Sequence, residues 1–262
     1  MHLVWGPLGN GPLERFVASY KAHPGGIDHR LVVAFNEVNG QVHRPADVLS
    51  DVTYEPLYMK GKLDLAAYIC VARQERARYL CFLNSYSEPL AGGWLEALMR
   101  HLREPGVGMV SATGSYESLY DPASILLRIT RRRRFGPFPN PHLRTNAFAM
   151  SREVMLSLDW PQVRTKSGAW SLESGKRSIT RQVWERGLDA LVVGRDGKAY
   201  QREDWHMSST FRSGGQSNLL VADNRTRQFA DADVEERRRL AELAWGAQAE
   251  LEVSDQAATP LG

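Results

Sequence analysis

Short apolar runs recur along the chain, and each is cut off by small polar residues. Leu3-Val4-Trp5 stops at Gly6-Pro7. Leu31-Val32-Val33-Ala34-Phe35 stops at Asn36-Glu37, and Tyr79-Leu80-Cys81-Phe82-Leu83 at Asn84-Ser85-Tyr86-Ser87-Glu88-Pro89. Val107 to Ala112 and Ala190 to Val193 behave alike, ending near Gly114 and Gly194. Runs that are apolar throughout, without alternation, predict strands buried on both faces of a parallel sheet. A minor strand is expected over 54–58. Between the strands the apolar spacing turns helical. Leu13, Phe16, Val17 and Tyr20 share a face over 13–21; Leu63, Ala66, Ala67, Cys70 and Val71 share one over 61–78. Further helices are expected over 44–51 and 93–104. This alternation predicts an α/β fold, a mostly parallel sheet flanked by helices.

Beyond residue 115 the pattern loosens. An apolar stretch over 123–129 precedes Arg131-Arg132-Arg133-Arg134, a basic run that reads as a solvated loop or face. The proline-rich 135–141 is neither helix nor central strand. A strand over 143–150, a helix over 152–158 capped by Ser151, and a helix over 174–186 ending at Gly187 follow. A charged amphipathic helix over 234–248 precedes a small, polar tail expected to fray. With no repeat and no linker, 1–262 reads as a single domain. Its expected parts are 1–115, 116–233, and a C-terminal helix and tail over 234–262.

Charge and composition narrow the field. The 262 residues carry a net charge of only +3, which implies no general attraction to nucleic acid. A nucleic-acid module built on the arginine run has no supporting recognition motif. The two cysteines, Cys70 and Cys81, sit in apolar patterns and suit a reducing compartment. No apolar run reaches membrane-spanning length. The expected location is the cytoplasm, or the inner membrane surface if Arg131 to Phe138 docks on lipid headgroups.

Chemistry is expected at the carboxyl ends of the strands, where open α/β sheets bind ligands. Asn84, Ser85, Tyr86 and Ser87 lie at one such end; they either contact a ligand or cap the following helix. Asn36 and Glu37 end another strand, and Asp64 opens a helix. Glu173 precedes the helix expected from 174, where its charge would meet the helix dipole. No phosphate-binding loop, dinucleotide fingerprint or nucleophile elbow is present.

The central stretch resembles the GT-A glycosyltransferases, close to family 2. Those enzymes carry an apolar strand ending in LN-x-D-x-E/P and then a GWLE-x-L helix. Here the counterparts are Leu83-Asn84-Ser85-Tyr86-Ser87-Glu88-Pro89 and Gly93-Trp94-Leu95-Glu96-Ala97-Leu98. The order of flanking pieces agrees over about 1–200: Asn36-Glu37, then the segment opening Asp64, then Leu172-Glu173-Ser174-Gly175.

The resemblance implies transfer of a sugar from a nucleotide-sugar donor to a hydroxyl of a glycan or lipid-linked glycan acceptor. The expected reaction is inverting, in surface polysaccharide or glycoconjugate assembly. It implies Glu173 as the base, and Asn36, Glu37, Asp64, Asn84, Ser85, Tyr86 and Ser87 as donor contacts. Arg132, Arg144, Asn146 and Arg212 would meet the acceptor or a phosphate. One departure stands out: Tyr86 replaces the family's metal-holding Asp. Mg²⁺ or Mn²⁺ would need Glu88 or His206, Asn84, or a remote Asp. The alternative is a GT-A-fold protein that binds nucleotide or glycan without catalysis.

Overall fold

The structure, a computed structural model, describes residues 1–37, 47–61, 63–120, 125–161 and 165–249. In chain order the first half runs β1 (His2–Trp5), α1 (Gly11–Ala22), β2 (Val32–Glu37), β3 (Glu55–Lys60), α2 (Asp64–Gln74) and β4 (Tyr79–Leu83). Then come β5 (Glu88–Pro89), α3 (Trp94–Leu102), β6 (Val107–Ser111) and β7 (Gly114–Ser115). The second half runs α4 (Ile125–Arg134), β8 (His142–Leu143), β9 (Ala147–Ser151), α5 (Arg152–Ser157), α6 (Lys166–Ser174) and α7 (Ile179–Trp184). It ends with β10 (Asp189–Val193), β11 (Ala199–Tyr200), β12 (Val221–Ala222), α8 (Asn224–Asp231) and α9 (Val234–Trp245).

Eight strands form one mixed, mostly parallel sheet in the order β11-β10-β6-β9-β4-β1-β2-β3. β9 runs antiparallel between β4 and β6, and β11 antiparallel on the β10 edge. Its inner strands are buried on both faces, as their unbroken apolar runs require, while the edge strand β3 is largely exposed. Neighbouring residues point to opposite faces: Phe82 joins the cluster with Tyr68 and Phe148, while Leu83 joins Phe16, Leu98 and Val110. The Phe82, Phe148 and Tyr68 rings pack with centroids 4.9–5.6 Å apart. No helix of the described residues is long and apolar enough to cross a membrane.

Four expectations need correction. The arginine run is not a loop; it forms the last turn of α4, so its side chains fan round a helix at about 100° per residue. The strand over 143–150 is two pieces, β8 and β9, separated by Arg144-Thr145-Asn146. The helix over 174–186 is also two, α6 and α7. The chain turns extended at Gly175, so close to the Ser171 carbonyl that a Cβ there would not fit, and Ser178 caps α7 by accepting from the Arg181 N–H. Glu173 therefore sits in the last turn of α6, not ahead of a helix. Finally, 47–50 form turns rather than a helix; 44–46 lie outside the described residues.

Candidate active site

β9 begins where β4 ends: Leu83 pairs with Ala147. This antiparallel register brings the segment before β9 against the loop after β4. Within that loop Asn84 Oδ1 accepts from the Tyr86 N–H at 2.9 Å, and the Asn84 N–H donates to the Asn146 carbonyl at 2.9 Å. The Ser87 hydroxyl donates to the same carbonyl at 2.6 Å. Asn84 and Ser87 thus hold the loop's shape, as side chains of Asn and Ser do in turns. Between them stand Ser85, which is buried, and Tyr86, which is half-buried.

Ser85 and Tyr86 line a cleft of about 440 Å³ at the carboxyl ends of β1 and β4. Trp5, Asp64, Thr145, Trp170 and Glu173 complete its functional wall. Glu173 is held by Thr145, whose N–H and hydroxyl both donate to Oε1, at 2.8 and 2.9 Å. These two bonds fix the carboxylate while Oε2 takes no part in them. Asp64 opens α2 on the facing wall. Its carboxyl is pushed up to about 6, first by burial and then by the negative charge of Glu173. Two carboxylates thus share one cleft, one held by donors and the other raised by burial and by its neighbour's charge.

A second cleft, of about 250 Å³, adjoins the first, and Trp170 and Glu173 line both. Its walls carry Arg131, Arg144, Arg212 and Arg225, with Glu117 and His142. Arg144 pairs with the buried Asp223 at 2.7 Å. Burial works against ionised Asp223, but the Arg144 charge and hydrogen bond, with N–H donors of Thr226 and Arg225, hold its carboxyl below the usual range. Burial holds the His142 imidazole below its ordinary value, against the pull of Glu173 and Glu117. His142 Nδ1 lies 2.9 Å from the Asn140 carbonyl, which assigns the proton to Nδ1.

The structure gathers only part of the expected site. Asp64, Ser85, Tyr86 and Glu173 meet in the first cleft, and Arg144 and Arg212 in the second. Asn36 and Glu37 end β2 beside Trp5 and line neither; residues 38–46, which follow them, lie outside the described residues. Arg132 points elsewhere, its guanidinium 5.0 Å from the Tyr120 ring; Arg131, one residue back on α4, faces the cleft. Asn146 is buried, its Oδ1 accepting from the Thr113 hydroxyl at 2.8 Å. Thr145, Trp170 and Arg225 were not among the expected contacts, and Arg131 was expected only within the basic run that would meet a phosphate or a membrane surface. Thr145 and Trp170 carry no pattern signal; Arg131 needed the helix of the arginine run, and Arg225 the helix α8.

A divalent ion does not fit the loop after β4. Its first carboxylate, Glu88, accepts from Arg15 at 2.9 Å and Arg227 at 2.6 Å. Asn84 is occupied by the loop, and Tyr86 offers a phenol where Mg²⁺ and Mn²⁺ favour carboxylates. His206 lies beside Tyr116, ring centroids 6.4 Å apart, and lines neither cleft. Among the described residues no three His, Cys, Asp or Glu form a metal-holding group.

No protein-family model matches the sequence. No curated protein matches it. Solved structures are similar in fold. A mannosyltransferase from Pyrobaculum calidifontis in complex with GDP-Man and Mn²⁺ is 13% identical over 80% of this chain and 58% of its own, with a TM-score of 0.47. Glucosyl-3-phosphoglycerate synthase from Mycobacterium tuberculosis, with Mn²⁺, UDP and phosphoglyceric acid, is 14% identical over 60% of this chain and 56% of its own, TM-score 0.39. A CMP:2-keto-3-deoxy-manno-octonic acid synthetase complexed with CTP is 11% identical over 68% and 76%, TM-score 0.40. The chain thus spans a little over half the length of the first two. With TM-scores under 0.5 these likenesses do not decide an activity.

Proposed function

We propose that this chain is a nucleotide-sugar-dependent glycosyltransferase whose catalytic base is Glu173. The observation that carries the reading is the position of Glu173: one carboxylate, pinned by Thr145, on the wall common to two clefts. A transferase needs such a group between donor and acceptor. The nucleotide-sugar takes the larger cleft, and the acceptor hydroxyl reaches Glu173 from the smaller one. Trp170, 43% exposed at the junction, offers an aromatic face to a sugar ring.

In the reaction, Glu173 takes the acceptor hydroxyl proton as its oxygen attacks the anomeric carbon. The bond from that carbon to the diphosphate oxygen breaks in line, and the electron pair leaves with the nucleoside diphosphate. Inversion follows from a single displacement. Alignment of the two substrates supplies much of the rate. Ser85 and Tyr86 are the loop residues placed to meet the diphosphate. Asp64, largely protonated below pH 6, donates a hydrogen bond to a ribose or phosphate oxygen in acid and accepts one above that range. A glycan acceptor in surface polysaccharide assembly remains part of the proposal, as does the single-domain reading.

The mannosyltransferase and the glucosyl-3-phosphoglycerate synthase were determined with Mn²⁺, but the loop side chains here are a poor fit for one. Transfer or donor hydrolysis, assayed with UDP- and GDP-sugars, is expected to survive EDTA at least in part. Complete loss with EDTA, restored by Mn²⁺, would give Glu88, His206 or Asp64 a ligand's role. No turnover of any nucleotide-sugar, with nucleotide still bound, would favour the non-catalytic reading, which the missing loop carboxylate supports.

A further inference from the structure

Four arginines converge on the smaller cleft, against two carboxylates, Glu117 and Glu173. They come from α4, the β8–β9 connection, the segment before β12 and α8, so the clustering is a product of the fold. Arg212 is the most constrained. It is 3% exposed, its Nε has no partner, and its backbone sits at φ +48°, a left-handed conformation unusual outside glycine. Strain of this kind persists where the surroundings impose it, and it concentrates at functional sites. Here the Trp245 indole N–H donates to the Phe211 carbonyl at 2.7 Å, and the Arg212 N–H donates to Gln216 at 3.1 Å.

The charge of Arg212 is only partly compensated. Its ion pair with Glu117 is long, at 3.4 Å, and Glu117 is itself a third exposed. Arg144 and Arg212 both stack on Phe211, with guanidinium carbons 4.2 and 4.9 Å from the ring centroid. Arg144 is already paired with Asp223 at 2.7 Å, whereas the Arg212 pair with Glu117 is long, at 3.4 Å. Burial and the like charges of Arg144 and Arg225, opposed by Glu117 and Asp223, lower the Arg212 guanidinium to about 10. A bound oxyanion would relieve this and satisfy the open Nε. Arg guanidinium groups recognise phosphate and carboxylate with paired hydrogen bonds.

We propose that the smaller cleft is a subsite for an oxyanion carried by the acceptor, a phosphate or a carboxylate, held by Arg131, Arg144, Arg212 and Arg225. This rests on the transferase reading and narrows its acceptor to an anionic hydroxyl compound, or to the anionic end of a larger one. The cleft volume suits a group of that size. The anion would orient the acceptor so that a neighbouring hydroxyl faces Glu173.

Isothermal titration separates the possibilities, with glycerol 3-phosphate, glycerate and glycerol as probes beside UDP and GDP. The charged probes should bind and glycerol should not; the stronger of the two identifies the anion. Arg131 lies on an open face of α4 and Arg225 is exposed, so the R131Q/R225Q double variant should fold. It should weaken the charged probes by roughly tenfold or more, as expected for losing hydrogen bonds to a charged group, and leave nucleotide affinity within about twofold. R212Q, checked by its melting curve, should do the same. Unchanged binding of the charged probes in both variants would overturn the proposal. So would no binding of either charged probe to a protein that binds UDP or GDP. A parallel loss of nucleotide affinity would give the arginines to the donor diphosphate instead. Anion binding without either nucleotide would sink the transferase reading, and the acceptor with it.

Discussion

Glu173→Gln should lower turnover by roughly a hundredfold to ten-thousandfold, the range for losing a positioned base. Donor affinity should change little. Gln keeps an oxygen to accept from the Thr145 N–H and hydroxyl, so the link between α6 and the start of β9 survives. Only the charge and the basicity go. A second readout belongs to the same variant. Because the Glu173 charge helps push Asp64 up, removing it should move the Asp64 titration to lower pH, which NMR of the side-chain carboxyl follows. Glu153→Gln, on the exposed side of α5, is the control and should be nearly silent. Turnover close to wild type in a folded Glu173→Gln protein would transfer the role elsewhere. Glu117, on the wall of the smaller cleft, is then the next candidate.

Asp223→Ala should cost about 3–5 kcal/mol of stability, the range for stripping one partner from a buried ion pair. Asp223 is 1% exposed and Arg144 nearly as enclosed, so the loss strands a guanidinium. It also uncaps α8, where Asp223 accepts from the Arg225 and Thr226 N–H groups and Thr226 returns the bond. Asp223→Asn can still accept those bonds. It should therefore recover about 1 kcal/mol, the usual value of a cap, and leave the remainder of the loss with the charge pair. Urea unfolding at pH 7 measures both. A loss under about 1 kcal/mol for Asp223→Ala would mean that Arg144 finds another partner, contrary to the short 2.7 Å pair and the buried setting.

How far the sequence reached follows from what each signal encodes. β1, β2, β4, β6 and β10 were readable because a doubly buried strand must be apolar at every position. Helices α1, α2 and α3 were readable because each buries one face. The helix α4 was hidden by its own arginines, since four adjacent charges leave no apolar period in its last turn. The break between α6 and α7 falls at Gly175, where the backbone turns extended and packs too close to Ser171 for any side chain, and no hydrophobic period reports a close approach. This break changed the setting of Glu173, from ahead of a helix to the end of one. α8 had a readable cue, the Asp223-Asn224-Arg225-Thr226 box, but no apolar face strong enough to name it.

The site divides the same way. Asp64, Ser85, Tyr86 and Glu173 follow from strand ends and from a resemblance in order, and they do share a cleft. The smaller cleft was only partly visible. Its residues are drawn from positions 115 to 225 and are joined by β7 pairing with β8, by the turn of α4 and by the anchoring of Phe211 on Trp245. Arg131 rather than Arg132 faces it because one residue is 100° of helix.

The most direct measurement is a crystal structure with UDP or GDP bound. The account predicts the diphosphate against Ser85 and Tyr86 in the larger cleft, with the base toward Trp5 and Asp64, and Glu173 left open toward the smaller cleft. The molecule offers a clear competitor: an apolar cleft of about 280 Å³ at the amino ends of β1, β2 and β4, lined by Met1, Leu31 and Tyr79. A nucleotide seated there, at the opposite ends of the strands from Ser85 and Tyr86, would contradict the account.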